Sequence, residues 1–372
     1  MTFQEIPTVD LSQAFDPATK PQFLKDLRHA IINVGFLLLK NYQSVGPNDD
    51  DFAKIKTEAI NFFGLPDKYK EEVEMINSPH FLGYTRLANE ITSNHADWRE
   101  QIDIGTELPA PSKDEPIYRN IEGPNLWPDA SVVPNFKPTI LNYIDKMSHL
   151  SLLFKSLVAE AIGLPANAFD GFFKPNQQCK MKLIAYPDTA ELTDKSSIAK
   201  ADETPDTQQG CGPHRDSDLL TYIYQATEHH DSLQVQNWQG QWVTVPYVEN
   251  TLVVNVGQTL EAITQGVCKA TIHRVLIPQA GTGTRISIPF FQTIDLDSHK
   301  NIVKNIPQDI LQLTKNRDAT IKQWGQIGFQ FIPDVNKDPV GVSVFKNRIK
   351  SHQDVASRWY PEILKQVLQD YK

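Results

Sequence analysis

Gly212-Pro213-His214-Arg215-Asp216, with the strand-like run Leu219 to Gln225 close behind it, decides how the rest of the chain is read. It sets an imidazole and a carboxylate two residues apart at the head of a β-prone segment, and on a strand residues i and i+2 point to the same side. His214 and Asp216 are therefore expected to share one metal ion. A third ligand must come from elsewhere, and His273, in Thr271-Ile272-His273-Arg274-Val275, is the best candidate. Two histidines and one carboxylate, with the remaining positions open, suit a non-haem Fe(II) oxygenase better than a closed structural zinc site.

Outward from that stretch the pattern is β-rich. Short β-prone runs recur at Cys179 to Pro187, Leu219 to Gln225, Leu233 to Val235, Trp242 to Val245, Thr251 to Asn255, Ala270 to Ile277 and Arg285 to Gln292. Runs of this length, separated by turns, predict a sandwich, jelly roll or barrel. Trp238-Gln239-Gly240-Gln241-Trp242 carries a hairpin turn. Arg285-Ile286-Ser287 is a second i, i+2 pair, and its guanidinium fork and hydroxyl suit a carboxylate held deep in a cavity. The polar segment Asp188 to Gly210 interrupts the β region and is read as a lid or as a solvated loop.

The flanks are helical. Pro21 to Asn33, Asp51 to Phe63 and Ile140 to Leu164 have helical apolar spacing, and Gly64 with Pro66, and Gly163 with Pro165, are stop signals. Gly35 to Leu39 and Asp97 to Gly105 read as strands, Leu108 to Pro138 as proline-rich irregular chain, and Asp297 onward as helix apart from the loop around Pro333 to Val342. The chain has 372 residues and a net charge of −9 without a long basic run, so a small molecule is a better partner than nucleic acid or an anionic membrane. No apolar run approaches the roughly 18 residues needed to span a bilayer, and the N-terminus lacks the pattern of a secretory signal. Three cysteines, Cys179, Cys211 and Cys268, form no Cys-x-x-Cys motif and fit reduced thiols in the cytosol. A cytoplasmic monomer is the expectation.

The ordered set His214-x-Asp216, His273-Arg274-Val275 and Arg285-x-Ser287 resembles the 2-oxoglutarate and Fe(II)-dependent oxygenases of the isopenicillin N synthase-like branch. The N-terminal half is similar to that family at Ile6 to Leu11, Val34-Gly35-Phe36, Phe62 to Pro66, Gly83-Tyr84 and Asp97 to Glu100. Tyr186-Pro187, Leu233-Gln234-Val235, Trp242-Val243 and Val253 to Gly257 carry the resemblance through the catalytic half. It implies a mainly β core, a double-stranded β-helix or distorted jelly roll, with flanking α-helices, α+β overall. It also implies Fe(II) on His214, Asp216 and His273, 2-oxoglutarate with its distal carboxylate on Arg285 and Ser287, and Tyr186 near the iron-binding end of that cosubstrate. With O2, such an enzyme oxidises a small organic molecule by hydroxylation, desaturation, ring closure or ethylene formation and releases succinate and CO2. The implied division is an α/β region at 1–170, the catalytic core at 171–300 and a helical extension at 301–372, in one compact unit. Two rivals are an isopenicillin N synthase-type iron oxidase, in which Arg285 and Ser287 grip the substrate, and a non-catalytic binding protein on the same fold.

Other chemistry-bearing residues have plainer expectations. Glu228-His229-His230-Asp231 is read as a solvated turn, because adjacent residues point apart. His80 and His95 are read as packing or surface residues ahead of lining a substrate entrance, and Cys211 as a packed thiol ahead of an oxidation-sensitive one. Arg86 and Arg99 are either grips for an anionic substrate or salt-bridge partners. Arg215 is expected to face away from the metal. Phe81, Tyr84, Trp98, Tyr222 and Tyr224 suit a pocket wall or the core equally well.

Overall fold

A computed structural model describes residues 2–92, 95–174, 178–188, 190, 209–299, 303–321 and 338–370. The catalytic-half strands are β7 (Lys180–Tyr186), β8 (Gln209–His214), β9 (Leu220–Gln225), β10 (Leu233–Gln236), β11 (Trp242–Thr244), β12 (Leu252–Val256), β13 (His273–Leu276) and β14 (Arg285–Gln292). Earlier in the chain lie β1 (Thr8–Asp10), β2 (Phe36–Lys40), β3 (Gly83–Thr85), β4 (Ile91–Thr92), β5 (His95–Ala96) and β6 (Glu100–Gly105). Among the described residues these strands form a large sheet, ordered β1-β2-β12-β9-β14-β7-β6-β3, a facing sheet, ordered β11-β10-β13-β8, and a separate pair, β4-β5. This is the α+β jelly-roll arrangement, with strands of the N-terminal region extending the large sheet at both edges.

The helices are α1 (Lys20–His29), α2 (Asp49–Phe63), α3 (Asp67–Glu71), α4 (Phe136–Ala161), α5 (Gln258–Ile263), α6 (Gln308–Asp318), α7 (Val340–Ser351), α8 (Gln353–Trp359) and α9 (Pro361–Asp370). Local chemistry explains their limits. Asn48 and Asp51 form a reciprocal capping box at the start of α2, whose first turn carries three acids facing the positive end of the helix dipole. α4 begins earlier than the apolar spacing indicates, because Pro138 fits within a first turn that needs no backbone donor there. Gly35 turns the chain from a π-helical turn, Ala30–Val34, into β2 at φ +76, where a Cβ would lie 2.2 Å from the Lys269 carbonyl oxygen.

Burial then explains the layering. Phe23, Leu27, Ile55, Phe62, Ile140, Met147 and Phe154 of α1, α2 and α4 pack on one face of the large sheet. A second apolar cluster, including Ile184, Ile223, Val235 and Val275, fills part of the space between the two sheets. The strand β7 is buried along its whole length because helices cover one face and the inter-sheet space lies at the other. A third cluster, centred on Phe81, Phe345, Ile349 and Tyr360, seats α7 to α9 against the N-terminal region.

Two expectations need correction. β8 ends at His214, so Asp216 lies in the turn beyond the strand and the i, i+2 alternation does not bring the pair together. The Gln258 backbone N–H donates to the Asp216 carbonyl at 2.8 Å and ties that turn to the start of α5. In the Glu228 to Asp231 run, His229 is buried and bridges Thr227 Oγ1 and the Gly283 carbonyl, at 3.1 and 3.0 Å, whereas His230 is exposed beside Glu228 as expected. Most of the Asp188 to Gly210 segment, and the first part of the loop expected around Pro333 to Val342, lie outside the described residues.

Candidate metal and cosubstrate site

The pairing of β13 with β8 sets His273 opposite His214, and their rings lie 4.2 Å apart between centroids. Asp216 Oδ1 sits 3.5 Å from His214 Nε2 and 3.7 Å from His273 Nε2. All three ligand atoms fall within 4.8 Å of one another, the one such group among the described residues. The far nitrogen of each ring is occupied: His214 Nδ1 meets the Gly212 carbonyl at 2.8 Å and His273 Nδ1 the Thr271 carbonyl at 3.2 Å. An Nδ1–H donated to a carbonyl leaves the Nε2 lone pair for a metal.

The carboxylate is oriented in the same way. Asp216 Oδ2 accepts from Thr221 Oγ1 at 2.5 Å and from Asn255 Nδ2 at 2.8 Å, leaving Oδ1 toward the histidines. Thr221 and Asn255 are themselves paired across β9 and β12, so the sheet register fixes both donors. Burial opposes charge on Asp216, but the His273 and His214 rings and the Thr221 hydroxyl hold its carboxyl well below the usual range. Burial, with the neighbouring His214 ring adding, pushes the His273 pKa down to about 4.

Arg285, Ser287 and Tyr186 meet across β14 and β7. Arg285 pairs with Tyr186, and its guanidinium carbon stands 5.1 Å from the centre of the tyrosine ring. Arg285 is 1% exposed, its Nη1 has no hydrogen-bond partner among the described residues, and its Nη2 reaches Gln225 Oε1 only at 3.5 Å. A buried guanidinium without a counter-ion is costly, and a ligand carboxylate would complete it. Both groups line one cavity of about 280 Å³, bordered by residues of β7, β9, β14 and α7 and by His214, Asp216 and His273. The donor set therefore fits iron and the cavity end fits an oxo acid.

Comparison with known proteins agrees. Residues 6–130 match the family described as non-haem dioxygenase in morphine synthesis N-terminal, and residues 186–294 match the 2OG-Fe(II) oxygenase superfamily. The chain is 44% identical over 370 residues to the 2-oxoglutarate-dependent dioxygenase frbJ of Dothideomycetidae sp. (strain 11243), covering 98% of this chain and 95% of that protein. The chain belongs to the 2-oxoglutarate and Fe(II)-dependent oxygenases. A 2-oxoglutarate-dependent dioxygenase of Gibberella zeae is 32% identical, with 97% and 93% of the two chains covered. The crystal structure of a full-length Neurospora crassa protein in complex with alpha-KG superposes with a TM-score of 0.69 at 25% identity, over 92% of this chain and 95% of that one. As an oxygenase of this family the protein is an enzyme that uses Fe(II), 2-oxoglutarate and O2 on a small molecule. The cosubstrate-free oxidase and the non-catalytic binder give way to that reading.

The remaining candidates separate cleanly. Arg99 pairs with Glu90 at 3.0 Å and Asp97 at 2.9 Å, and Arg86 pairs with Glu71 and Glu74, so both are salt-bridge partners. His80 Nδ1 meets the Asn120 carbonyl, and Cys211 packs with its sulfur 3.6 Å from His214 Nδ1. Tyr222 and Phe81 are core residues. Arg215 borders the cavity. Sequence reading missed the roles of Thr221 and Asn255. Asn255 was detectable as the lone polar residue of the otherwise apolar Leu252–Val256 strand.

Proposed function

We propose that His214, Asp216 and His273 hold the iron of this oxygenase, that Arg285 and Ser287 bind the distal carboxylate of 2-oxoglutarate, and that Tyr186 supports Arg285 and the cosubstrate. The observation that carries this reading is the paired tether on each histidine, which leaves both Nε2 atoms facing Asp216 Oδ1. Bound iron, 2-oxoglutarate and O2 supply the oxidising power that breaks a substrate C–H bond, with succinate and CO2 released. Thr221 and Asn255 keep the Asp216 carboxylate in one rotamer, so the metal geometry is set before the ligands arrive. Arg285 and Ser287, 1% and 4% exposed, anchor the oxo acid where water does not compete. α7 roofs the cavity through Val344 and Arg348 and restricts the poses a substrate can take.

The same reading divides the chain into 1–170 packing on the core, 171–300 as the catalytic core and 301–372 as a helical extension, acting as one unit; β2–β12 and β6–β7 pairing across the first boundary supports it. A monomer suffices, because every proposed ligand comes from one chain. The free thiols Cys179, Cys211 and Cys268 suit the cytosol, and among the described residues no helix is long and apolar enough to cross a membrane.

Anaerobic titration of the Fe(II)-loaded protein with 2-oxoglutarate, followed by the metal-to-ligand charge-transfer band, tests the assignment. Arg285→Met is expected to weaken the cosubstrate by at least about thirtyfold, as for truncation of one partner in a buried charge pair. Unchanged affinity in that variant refutes the role of Arg285.

A further inference from the structure

The cavity has, besides Arg285, a second buried basic side chain without a salt-bridge partner among the described residues, at the end away from Arg285. Lys180, Lys182, Ile184 and Tyr186 alternate along β7 onto the cavity face. The neighbouring cations are matched: Lys182 pairs with Asp103 at 3.3 Å and Glu90 at 3.8 Å, Arg348 with Asp103 at 3.2 Å, and Arg99 with Glu90 and Asp97. Lys180 is 8% exposed, and its Nζ has no hydrogen-bond partner and no ion pair among the described residues. Burial, with Arg348 adding, pushes its ammonium down to about 7, while Asp218, Asp103 and Glu122 pull the other way.

Sheet register places this cation relative to the metal. Lys180 pairs with Phe291 on β14, and Phe291 pairs with Thr221 on β9. Thr221 is the residue whose hydroxyl holds Asp216. Two strand spacings put the Lys180 and Thr221 backbones about 10 Å apart on one row. Along β7, Lys180 and Tyr186 are separated by about 20 Å at the strand rise, which places Lys180 well away from the Arg285 end. Gln178, beside it, donates Nε2 to the Thr106 carbonyl at 3.0 Å and toward the Gly123 carbonyl at 3.4 Å, which fixes its amide orientation and leaves Oε1 without a partner.

We propose that Lys180 is the specificity-determining residue of this oxygenase, anchoring an anionic oxygen group, a carboxylate or phosphonate, on the organic substrate. The inference rests on the iron and 2-oxoglutarate assignment above. It applies to the far end of the cavity the rule that explains Arg285: a buried cation left unmatched by the protein is matched by the ligand. An acid seated on Lys180 spans the row toward Thr221 and presents its carbon skeleton to the metal side, and a donor next to the anion can reach Gln178 Oε1.

The test uses the Fe(II)- and 2-oxoglutarate-loaded enzyme without oxygen. Benzoate, phenylphosphonate and the neutral benzamide are titrated into wild type, Lys180→Met and Lys180→Arg, reading perturbation of the charge-transfer band and the shift in Tm. At least one of the two anions is expected to bind about tenfold or more tightly than benzamide in wild type, as for a hydrogen bond to a charged group. That preference is expected to vanish in Lys180→Met and to persist in Lys180→Arg, with 2-oxoglutarate affinity unchanged in both; the tighter anion identifies the group. Equal binding of acid and amide in wild type, a preference that survives in Lys180→Met, or no response to any probe overturns the proposal. A missing charge-transfer band in wild type instead marks failure of the cosubstrate assignment, while a normal band without acid preference marks failure at Lys180 alone.

Discussion

Thr221→Val removes one atom's worth of chemistry from the carboxylate at the centre of the site. The side chains are nearly isosteric and Thr221 is 1% exposed, so no water replaces the hydroxyl. Asp216 Oδ2 then keeps only the Asn255 amide of its two donors. A hydrogen bond to a charged acceptor contributes about 1.5–3 kcal/mol, and loss of a partner that orients a metal ligand lowers metal affinity about 10- to 100-fold. The two scales agree, since 1.4 kcal/mol is about a factor of ten. Anaerobic competition for Fe(II) against a chromophoric chelator measures the change, and a thermal melt of the metal-free protein shows whether the fold is intact. Thr221→Ser, which keeps the hydroxyl, serves as the control and is expected to stay near wild type. An affinity for Thr221→Val within about threefold of wild type would refute the claim that this bond presets the ligand.

Two further outcomes follow from the packing around the site. Gly257→Ala places a Cβ 1.9 Å from the Asp218 backbone oxygen, so the turn carrying Asp216 must move; a loss of about 3 kcal/mol and weakened Fe(II) binding are expected from denaturant titration and chelator competition, and a wild-type midpoint contradicts this. His352 is buried, and burial lowers its pKa to about 4. The unfolded imidazole, near 6.5, takes its proton first, so stability from this group is present above that value and is lost as pH falls through about 4, by about 3 kcal/mol at most. Metal-free His352→Leu is therefore expected to lose less stability than wild type between about pH 7 and pH 4.5; parallel melting curves for the two proteins count against it.

Much of this architecture was legible because the sequence pattern and the fold use the same period. The β-prone runs from Lys180 to Gln292 fall on β7 and β9 to β14 within a few residues, and Gly64 and Gly163 mark helix ends as expected. His214, Asp216 and His273 were legible as a candidate set that the fold brings together, but the reason they meet was not. His214 closes a strand while Asp216 is carried by a turn fastened to α5, and that fastening depends on a backbone bond from a residue distant in sequence. Thr221, Asn255 and Lys180 have ordinary neighbours along the chain and acquire meaning only through cross-strand register. The loop expected to run through Val342 gives way to helix at Val340, the residue after Pro339, and nothing local states that α7 covers the cavity. His229 was misjudged for the same reason, because its second partner, the Gly283 carbonyl, lies across another loop.

The most direct measurement is iron content after anaerobic reconstitution with Fe(II) and removal of excess metal, in wild type and in Asp216→Ala. If His214, Asp216 and His273 form the centre, wild type retains about one iron per chain and the variant, left with two imidazoles, retains almost none while its fold is kept. One iron per chain in folded Asp216→Ala would contradict that centre.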